Sequence, residues 1–158
     1  MTREFPASLI GVISDTHGLL RPEAVTALQG VELIVHAGDI GKPEVLTELE
    51  KIAPVIAVRG NNDRNEWADD IPETATVMVS GVSIYVLHDL KQLDTDAASG
   101  HDIVIAGHSH KPKIEHRDGV TYLNPGSSGP RRFKLPVTVA LIRIPDKKAE
   151  VEIVELAI

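Results

Sequence analysis

Histidine and acidic side chains recur in this sequence directly after short aliphatic runs. Asp15 and His17 follow the run "LIGVIS", and His108 and His110 follow "DIVIAG". Five runs end in this way, and the metal-competent side chains beyond them are Asp15, His17, Asp39, Asn61, His88, His108 and His110. Imidazole nitrogens mixed with carboxylate and amide oxygens, in a chain with 0 Cys, suit manganese, iron, zinc or nickel. The residue types therefore predict a site for divalent metal ions.

The number of candidate ligands exceeds what one ion needs. A catalytic zinc ion uses about three protein ligands and keeps one position open. Two ions would use the whole set. A pair about 3.5 to 4 Å apart, bridged by a carboxylate, generates hydroxide near neutral pH and holds both oxygens of an in-line phosphoryl displacement. The ligand count thus favours a dinuclear centre that hydrolyses phosphate esters.

The aliphatic runs alternate with helical segments in the first half of the chain. "SLIGVIS", "ELIVHAG" and "PVIAVRG" predict strands, and "PEAVTALQ" and "KPEVLTELEKI" predict helices that begin at Pro22 and Pro43. The second half predicts a short helix over residues 93 to 98, a buried strand in "DIVIAG", and hairpins that turn at Ser80-Gly81, Asp118-Gly119 and residues 146 to 148. We therefore expect an α/β fold with two packed mixed sheets and helices outside them.

Parallel sheets bind ligands beyond the carboxyl ends of their strands, so these distant side chains are expected to converge. In an extended segment, residues i and i+2 point to the same side. On that basis Asp15 and His17 face one pocket, and so do His108 and His110. His36 lies inside a predicted strand, where a hydrogen-bonded core histidine and a residue that supports the metal ligands are both open readings.

Composition limits the other possibilities. The 158 residues suit a single domain over residues 1 to 158, and the net charge of -7 disfavours bulk nucleic-acid binding. The first ten residues have no apolar signal-peptide core, and no stretch approaches 18 uncharged apolar residues. We expect a cytoplasmic protein without membrane contact. Whether the chain forms a homo-oligomer is left open.

The order of the motifs carries a resemblance. Asp-x-His, Gly-Asp, Gly-Asn-x-Asp, a lone His and Gly-His-x-His, followed by "NPGS", resemble the calcineurin-like metallophosphoesterases over residues 9 to 128. The small YfcE-type phosphodiesterases are the most similar branch, and Vps29 is also similar. The resemblance implies an αββα sandwich, in which two mixed sheets face each other between helices.

The resemblance also implies residue roles. One ion would be held by Asp15, His17, Asp39 and His110, and the other by Asp39, Asn61, His88 and His108, so that Asp39 bridges the two. The implied cofactors are two divalent ions, with manganese favoured and iron, nickel or zinc as alternatives. A metal-bridging hydroxide would attack a small phosphate ester, with a phosphodiester favoured, while Asn61, Asn62 or His88 steadies the non-bridging oxygens. Asp63 would orient a ligand.

Two positions depart from the family pattern. Asn62 stands where many members have a histidine, and an amide cannot donate a proton to a leaving alkoxide, so we expect esters with good leaving groups to be preferred. Asp89 and Leu90 follow His88 where the family usually has Gly-His. The alternative function is a Vps29-like protein-binding scaffold with weak or no catalysis, which would not need a full ligand set.

Overall fold

The structure, a computed structural model, describes residues 3 to 158, apart from the side chains of Arg3 and Thr95. Eleven strands of this part of the chain form two mixed sheets. The strands are β1 (Arg3–Phe5), β2 (Leu9–Ile13), β3 (Leu33–His36), β4 (Val55–Ala57), β5 (Thr74–Val79), β6 (Val82–Leu87), β7 (Ile103–Ile105), β8 (Lys113–Arg117), β9 (Val120–Asn124), β10 (Thr138–Arg143) and β11 (Glu150–Glu155). The helices are α1 (Pro22–Ala27), α2 (Pro43–Glu50) and α3 (Thr95–Ala98), with 3₁₀ turns at Glu66–Ala68 and Leu90–Gln92.

The five-stranded sheet has the order β11-β10-β2-β3-β4. β2, β3 and β4 are parallel, and β10 is antiparallel to β2. Both crossover helices begin with proline at the first helical turn, where a missing backbone N–H costs nothing. Leu28 at the end of α1 and Leu49 of α2 pack with Ile13 and Ile34 on the outer face of this sheet. The aliphatic runs of the sequence are thus buried on both faces, as in other parallel sheets.

The six-stranded sheet has the order β1-β5-β6-β7-β9-β8. β6, β7 and β9 are parallel, whereas β5 and β8 are antiparallel to their neighbours β6 and β9. On its outer face, Ala98 of α3 is buried in a small cluster with Leu87, Val104 and Val120, and Leu93 packs against this cluster. An open cavity on the same face is lined by Val104 and Tyr122.

The main core lies between the two sheets. Val12 and Val35 of the five-stranded sheet pack in one cluster with Val77, Ile84 and Ile105 of the six-stranded sheet. Aliphatic side chains fill this core because aromatic residues make up only 3% of the chain. The predicted α/β fold with two packed mixed sheets is confirmed, and it brings the carboxyl ends of β2, β3, β4, β6 and β7 to one edge.

Two details differ from the sequence prediction. β1 was not predicted, because three residues show no periodicity, and pairing with β5 in the register Arg3↔Val77 fixes this strand. The helices are also shorter, and α1 ends at Ala27 rather than residue 29. Among the described residues, no helix has the length and apolarity to cross a membrane.

Candidate metal centre

The loops that follow the five strands hold one another in place. The N–H of Asp15 donates to the carbonyl of Gly38 at 3.0 Å, and the N–H of His17 donates to the carbonyl of Asp39 at 2.9 Å. Across the sheets, the N–H of His108 donates to Asp15 Oδ2 at 3.1 Å. The two sheets are therefore joined at this edge by the same loops that carry the predicted ligands.

The predicted ligands form two groups. In each group, one potential ligand atom from each of three residues lies within 4.8 Å of the others. The first group is Asp15, His17 and His110, and the second is Asp39, His88 and His108. These groups match the two sets expected from the sequence, except that Asn61 is absent and Asp39 is in the second group only.

Asp39 lies between the groups. Its Oδ2 atom is 3.2 Å from Nε2 of His88 in its own group and 3.8 Å from Nε2 of His17 in the other. Oδ1 of Asp15 is likewise 3.4 Å from Nε2 of His110 and 3.8 Å from Nε2 of His88. Each carboxylate therefore faces both groups, which is the arrangement that a shared ligand requires.

Several buried polar atoms at this site have no hydrogen-bonding partner. They are Asp15 Oδ1, His17 Nε2, His88 Nε2 and His110 Nδ1. A buried polar atom without a partner costs about 1 to 3 kcal/mol, so four of them in one place call for an explanation. A cation would satisfy the carboxylate oxygen and the imidazole lone pairs together. The residues present thus fit divalent metal ions.

Neighbouring donors fix the orientation of Asp15. Its Oδ2 atom accepts from Ser14 Oγ at 2.7 Å and from the N–H of His108, which leaves Oδ1 to face the three histidines. Burial raises the pKa of Asp15, but His110, His88 and Ser14 outweigh it and hold the pKa below its ordinary value. This carboxylate is therefore ionised at neutral pH.

Asn62 holds Asp39. The N–H of Asn62 donates to Asp39 Oδ1 at 2.9 Å, and its side-chain Nδ2 donates to Oδ2 at 3.1 Å. Burial raises the pKa of Asp39, yet His88, the Asn62 N–H and His17 together lower it to about 2. Asn62, predicted to contact a phosphoryl oxygen, is here a direct partner of the carboxylate between the two groups.

His88 is oriented by the backbone. Its Nδ1 lies 2.7 Å from the carbonyl of Ala37 and donates to it, so Nε2 faces the carboxylates with its lone pair available. Burial lowers the pKa of His88, but Asp39 and Asp15 reverse this and raise it above the ordinary value. A backbone carbonyl on the far ring nitrogen is the usual support of a metal-binding histidine.

The backbone of the ligand loops is left-handed. Asp15, His17, Asp39, His108 and His110 have φ angles of 55°, 46°, 54°, 73° and 64°. The extended backbone expected for Asp15 and His17, and for His108 and His110, is therefore wrong, although Asp15 and His17 do lie in one group as expected. A left-handed residue turns the chain sharply, which sends His108 and His110 to different groups. Non-glycine residues adopt this conformation at a cost that clusters at functional sites.

Two glycines permit this close packing. A Cβ atom at Gly60 would overlap the backbone N and the carboxylate of Asp39. A Cβ at Gly107 would overlap Ser14 Oγ and lie 2.7 Å from Asp15 Oδ2. Only glycine leaves room for the loops to approach at these positions.

Asp63 supports the loops through hydrogen bonds to backbone N–H groups rather than to a ligand side chain. It is buried, and its carboxylate accepts from the N–H groups of Ile40, Gly41 and Gly60 at 3.0, 3.1 and 3.0 Å. These bonds tie the loop after β3 to the loop after β4. Asp63 thus orients ligands through the backbone.

The fold and the site have counterparts among known proteins. Residues 9–147 match the family model described as the calcineurin-like phosphoesterase superfamily domain. The chain belongs to this superfamily. It is therefore a phosphoesterase, a hydrolase whose family binds divalent metal ions, and the resemblance predicted from the motifs is confirmed.

Individual members of the superfamily are similar along most of the chain. A probable metallophosphoesterase from Methanothermobacter thermautotrophicus is 40% identical over 159 residues, which cover 92% of this chain and 91% of the relative. A solved archaeal phosphodiesterase has a TM-score of 0.76 at 28% identity, with 92% of this chain and 99% of that chain covered.

Two more distant structures share the fold. YfcE, a phosphoesterase from E. coli, has a TM-score of 0.65 at 22% identity and covers 94% of this chain and 100% of its own. Vps29 from Entamoeba histolytica, solved in complex with zinc, has a TM-score of 0.72 at 23% identity, with 93% and 98% covered. At these identities the likeness shows the calcineurin-like fold alone.

The remaining predicted residue, Asn61, is exposed in this phosphoesterase. Its backbone carbonyl accepts from Arg64 Nε at 2.9 Å, and the residue lines a cleft of about 290 Å³ together with His88 and Asp89. It is therefore next to the second group but on its open side.

Sequence reasoning left His36 open and missed its partners. His36 is fully buried, its Nδ1 accepts from the N–H of Gly38 at 3.1 Å, and its Nε2 donates to Thr16 Oγ1 at 3.0 Å. Thr16 in turn donates to the carbonyl of Ile40 at 2.7 Å. His36 is thus both a paired core histidine and a support of the ligand loops. In the sequence, only the position of His36 three residues before Asp39 indicates the second role.

Two further supports lie near His108. Asp89 Oδ2 is 3.9 Å from His108 Nε2, at the position where the superfamily usually has glycine. Asn124 of the "NPGS" motif donates from Nδ2 to the carbonyl of Gly107 and to Ser109 Oγ, both at 3.0 Å. The motif was recognised in the sequence, but its role in holding this loop was not.

Proposed function

We propose that the protein is a dinuclear metal-dependent phosphodiesterase. The observation that carries this proposal is the pair of ligand groups whose buried carboxylate and imidazole atoms lack partners, with Asp39 facing both. Membership of the phosphoesterase superfamily supports the reaction, and the likeness to an archaeal phosphodiesterase supports the substrate class.

The ligand assignment follows the two groups. Asp15, His17, Asp39 and His110 would hold one ion, and Asp39, Asn61, His88 and His108 the other. Manganese is the first choice, because oxygen ligands from three residues accompany the four histidines, with iron, nickel and zinc as alternatives. When bound, two such ions supply Lewis acidity, which offsets phosphoryl charge and lowers the pKa of a water nucleophile.

The chain's own groups then position the substrate. Asn61 and His88 line the cleft on the open side of the second group, where non-bridging phosphoryl oxygens would lie. Asn62 lies beside them and can donate from its amide, but it has no acidic proton for the leaving group. Asp63 keeps the two loops in register. Catalysis by this set depends on a leaving group that departs as a stable anion.

The competing proposal is a protein-binding scaffold of the Vps29 kind. The similarity to Vps29 over nearly the whole chain favours it, although that similarity is one of fold. A scaffold gains nothing from four buried polar atoms without partners, because each one lowers stability. The phosphodiesterase is therefore the preferred function.

The decisive experiment measures bound metal and hydrolysis together. Wild-type protein and Asp39→Asn are analysed for manganese, iron, nickel and zinc, and both are assayed with bis-p-nitrophenyl phosphate. Asp118→Asn is the matched control, because this exposed carboxyl lies in the β8–β9 turn, outside the site.

We expect about two ions per wild-type chain and at least a hundredfold loss of activity in Asp39→Asn, since a shared ligand serves both ions. Asp118→Asn should match the wild type. A wild-type protein that takes up no metal and does not hydrolyse the diester would favour the scaffold. The cytoplasmic location and the homo-oligomer stay predictions.

A further inference from the structure

A second cavity adjoins the candidate metal centre. It has a volume of about 520 Å³ and lies on the outer face of the six-stranded sheet, within the range of ligand-binding pockets. His108 lines it and belongs at the same time to the second ligand group. The cavity is therefore continuous with the place where the reacting phosphate would lie.

The inner surface of this cavity is apolar. Val104 of β7 and Ala106, which directly follows β7, are buried there, and the half-buried Tyr122 of β9 supplies an aromatic ring whose centre lies 4.5 Å from Arg117 Cζ. Leu90 lines it too and is 38% exposed, although it is a large aliphatic residue. A bare phosphate would make no use of such walls. An aromatic or other flat apolar group would bury them.

The rim of the cavity is basic. Lys91, Lys111 and Lys113 line it. Lys113 Nζ is paired with Glu115 at 3.2 Å, whereas Lys91 and Lys111 have no carboxylate within ion-pair distance among the described residues. Asp89 and Glu115 also line the cavity, so three lysines accompany two carboxyl groups there and leave the rim with a net positive charge in a chain whose net charge is -7. The lysines favour a ligand that carries a negative charge near its apolar part.

We propose that this cavity binds the non-reacting arm of the phosphodiester, and that this arm is a nucleotide. Its base would lie against Tyr122 and Leu90, and a second phosphate would face Lys91 and Lys111. The proposal rests on the phosphodiesterase function, because His108 is the point at which the cavity and the metal centre meet. It specifies a substrate class that the superfamily alone does not.

Three p-nitrophenyl esters test the proposal. They are methyl p-nitrophenyl phosphate, thymidine 5′-(p-nitrophenyl phosphate), and the latter with a 3′-phosphate. In each, water adds to phosphorus and the bond to p-nitrophenolate breaks with release of one proton, so the leaving group is the same throughout. We expect kcat/KM to rise at least about tenfold from the methyl to the thymidine ester, and again by several-fold with the 3′-phosphate.

Variants test whether the cavity is responsible for these two increases in kcat/KM. The double variant Lys91→Ala/Lys111→Ala should remove the increase in kcat/KM that the 3′-phosphate brings, and each lysine should account for about a two- to fivefold part of it. The kcat/KM for the methyl ester should stay unchanged. Tyr122→Leu should reduce the gain from the thymidine group. Lys148→Ala is the control, because this exposed lysine lies in the β10–β11 turn of the other, five-stranded sheet and does not line the cavity.

A direct binding measurement separates this proposal from the phosphodiesterase function. Calorimetry with thymidine 3′,5′-bisphosphate needs no turnover, and the double lysine variant should bind it about four- to twenty-fivefold more weakly than the wild type and Lys148→Ala. Equal kcat/KM values for the three esters, or equal weakening for all of them in the double variant, would overturn the nucleotide pocket while leaving diester hydrolysis intact. If none of the three esters were hydrolysed, the result would instead count against the phosphodiesterase function.

Discussion

Asp39 depends on its neighbours for the geometry that the proposed centre needs. Asn62 donates to both of its oxygens, and His88 and His17 approach Oδ2 from the two ligand groups. Its pKa of about 2 keeps it charged over the whole range in which the protein would be active. The residue that departs from the family pattern is thus the one that holds the carboxylate between the two groups.

Because the amide of Asn62 has no acidic proton, we expect the protein to hydrolyse mainly diesters with good leaving groups. Replacement by histidine, Asn62→His, should raise the turnover of alkyl phosphodiesters at least about tenfold relative to nitrophenyl diesters, because an imidazolium can protonate a leaving alkoxide. The measurement is the ratio of the two kcat values under saturating metal. Asn65→His, an exposed position in the same loop, is the control. Equal turnover of alkyl and nitrophenyl esters by the wild type would contradict the role assigned to Asn62.

His36 predicts a pH dependence of stability. Burial lowers its pKa from 6.5 to about 4, against the opposing charges of Asp15, Asp63 and Asp39. Between these values the unfolded chain binds a proton that the folded chain does not, so the free energy of unfolding falls as pH drops from 6.5 to 4, by at most roughly 3 kcal/mol. Urea titrations of the metal-free protein measure this slope.

The variant His36→Gln should show a smaller slope in this window, whatever its absolute stability. His116→Gln, which replaces an exposed imidazole in β8, should keep the wild-type slope. The raised pKa of His88 acts in the opposite direction and above pH 6.5, where stability is lost as pH rises. A wild-type slope retained in His36→Gln would show that another group is responsible.

At the scale of the elements, the loops rather than the strands decide which ligands meet. The strands end at one edge, but left-handed residues in the loops after β2, β3 and β7 determine where each side chain goes. His108 and His110 are two residues apart and still belong to different groups. Such loops require close packing against one another, and therefore glycine at their contact points.

Gly107→Ala tests this requirement. Its Cβ would overlap Ser14 Oγ and crowd Asp15 Oδ2, so the loop after β7 would have to shift and take His108 and His110 with it. We expect metal affinity and activity to fall at least about tenfold, as for lost supports of metal ligands, while the circular dichroism spectrum stays native. Gly100→Ala is the matched control, because a Cβ there has no neighbour within 4 Å. Unchanged metal affinity in Gly107→Ala would contradict the packing argument.

For the whole molecule, the site lies where the two sheets meet. Asp15 and Asp39 come from the five-stranded sheet, and His88, His108 and His110 come from the six-stranded sheet. Bound ions would therefore link the sheets at an edge where buried polar atoms otherwise lack partners. Metal binding and stability are expected to be coupled.

Removal of the metal should lower the melting temperature. Saturation at a hundredfold excess over Kd stabilises a fold by about 2.7 kcal/mol for each site, which corresponds to roughly 5 to 10 °C for a chain of this size. Differential scanning fluorimetry with and without a chelator measures the shift. In Asp39→Asn the shift should be much smaller. A wild-type protein with the same melting temperature in both conditions would argue against a bound metal.

Much of this arrangement was predictable from the sequence because it is local. Aliphatic runs predict strands, Pro22 and Pro43 mark helix starts, and a polar side chain after each run marks the functional edge. β1 and the support given by His36 were not predictable in this way. β1 is fixed by pairing with β5, and His36 acts through Thr16, which is 20 residues away.

The sequence alone determined the ligand types, their order along the chain and the α/β class, since residue chemistry and hydrophobic periodicity require no knowledge of distant contacts. The tertiary structure decided how the ligand loops turn, that Asn62 binds Asp39, and that a cavity opens beside His108. The physical reason is that these features depend on left-handed loop residues and on the packing of one sheet against another. Such contacts join residues far apart in the chain, and no local pattern records them.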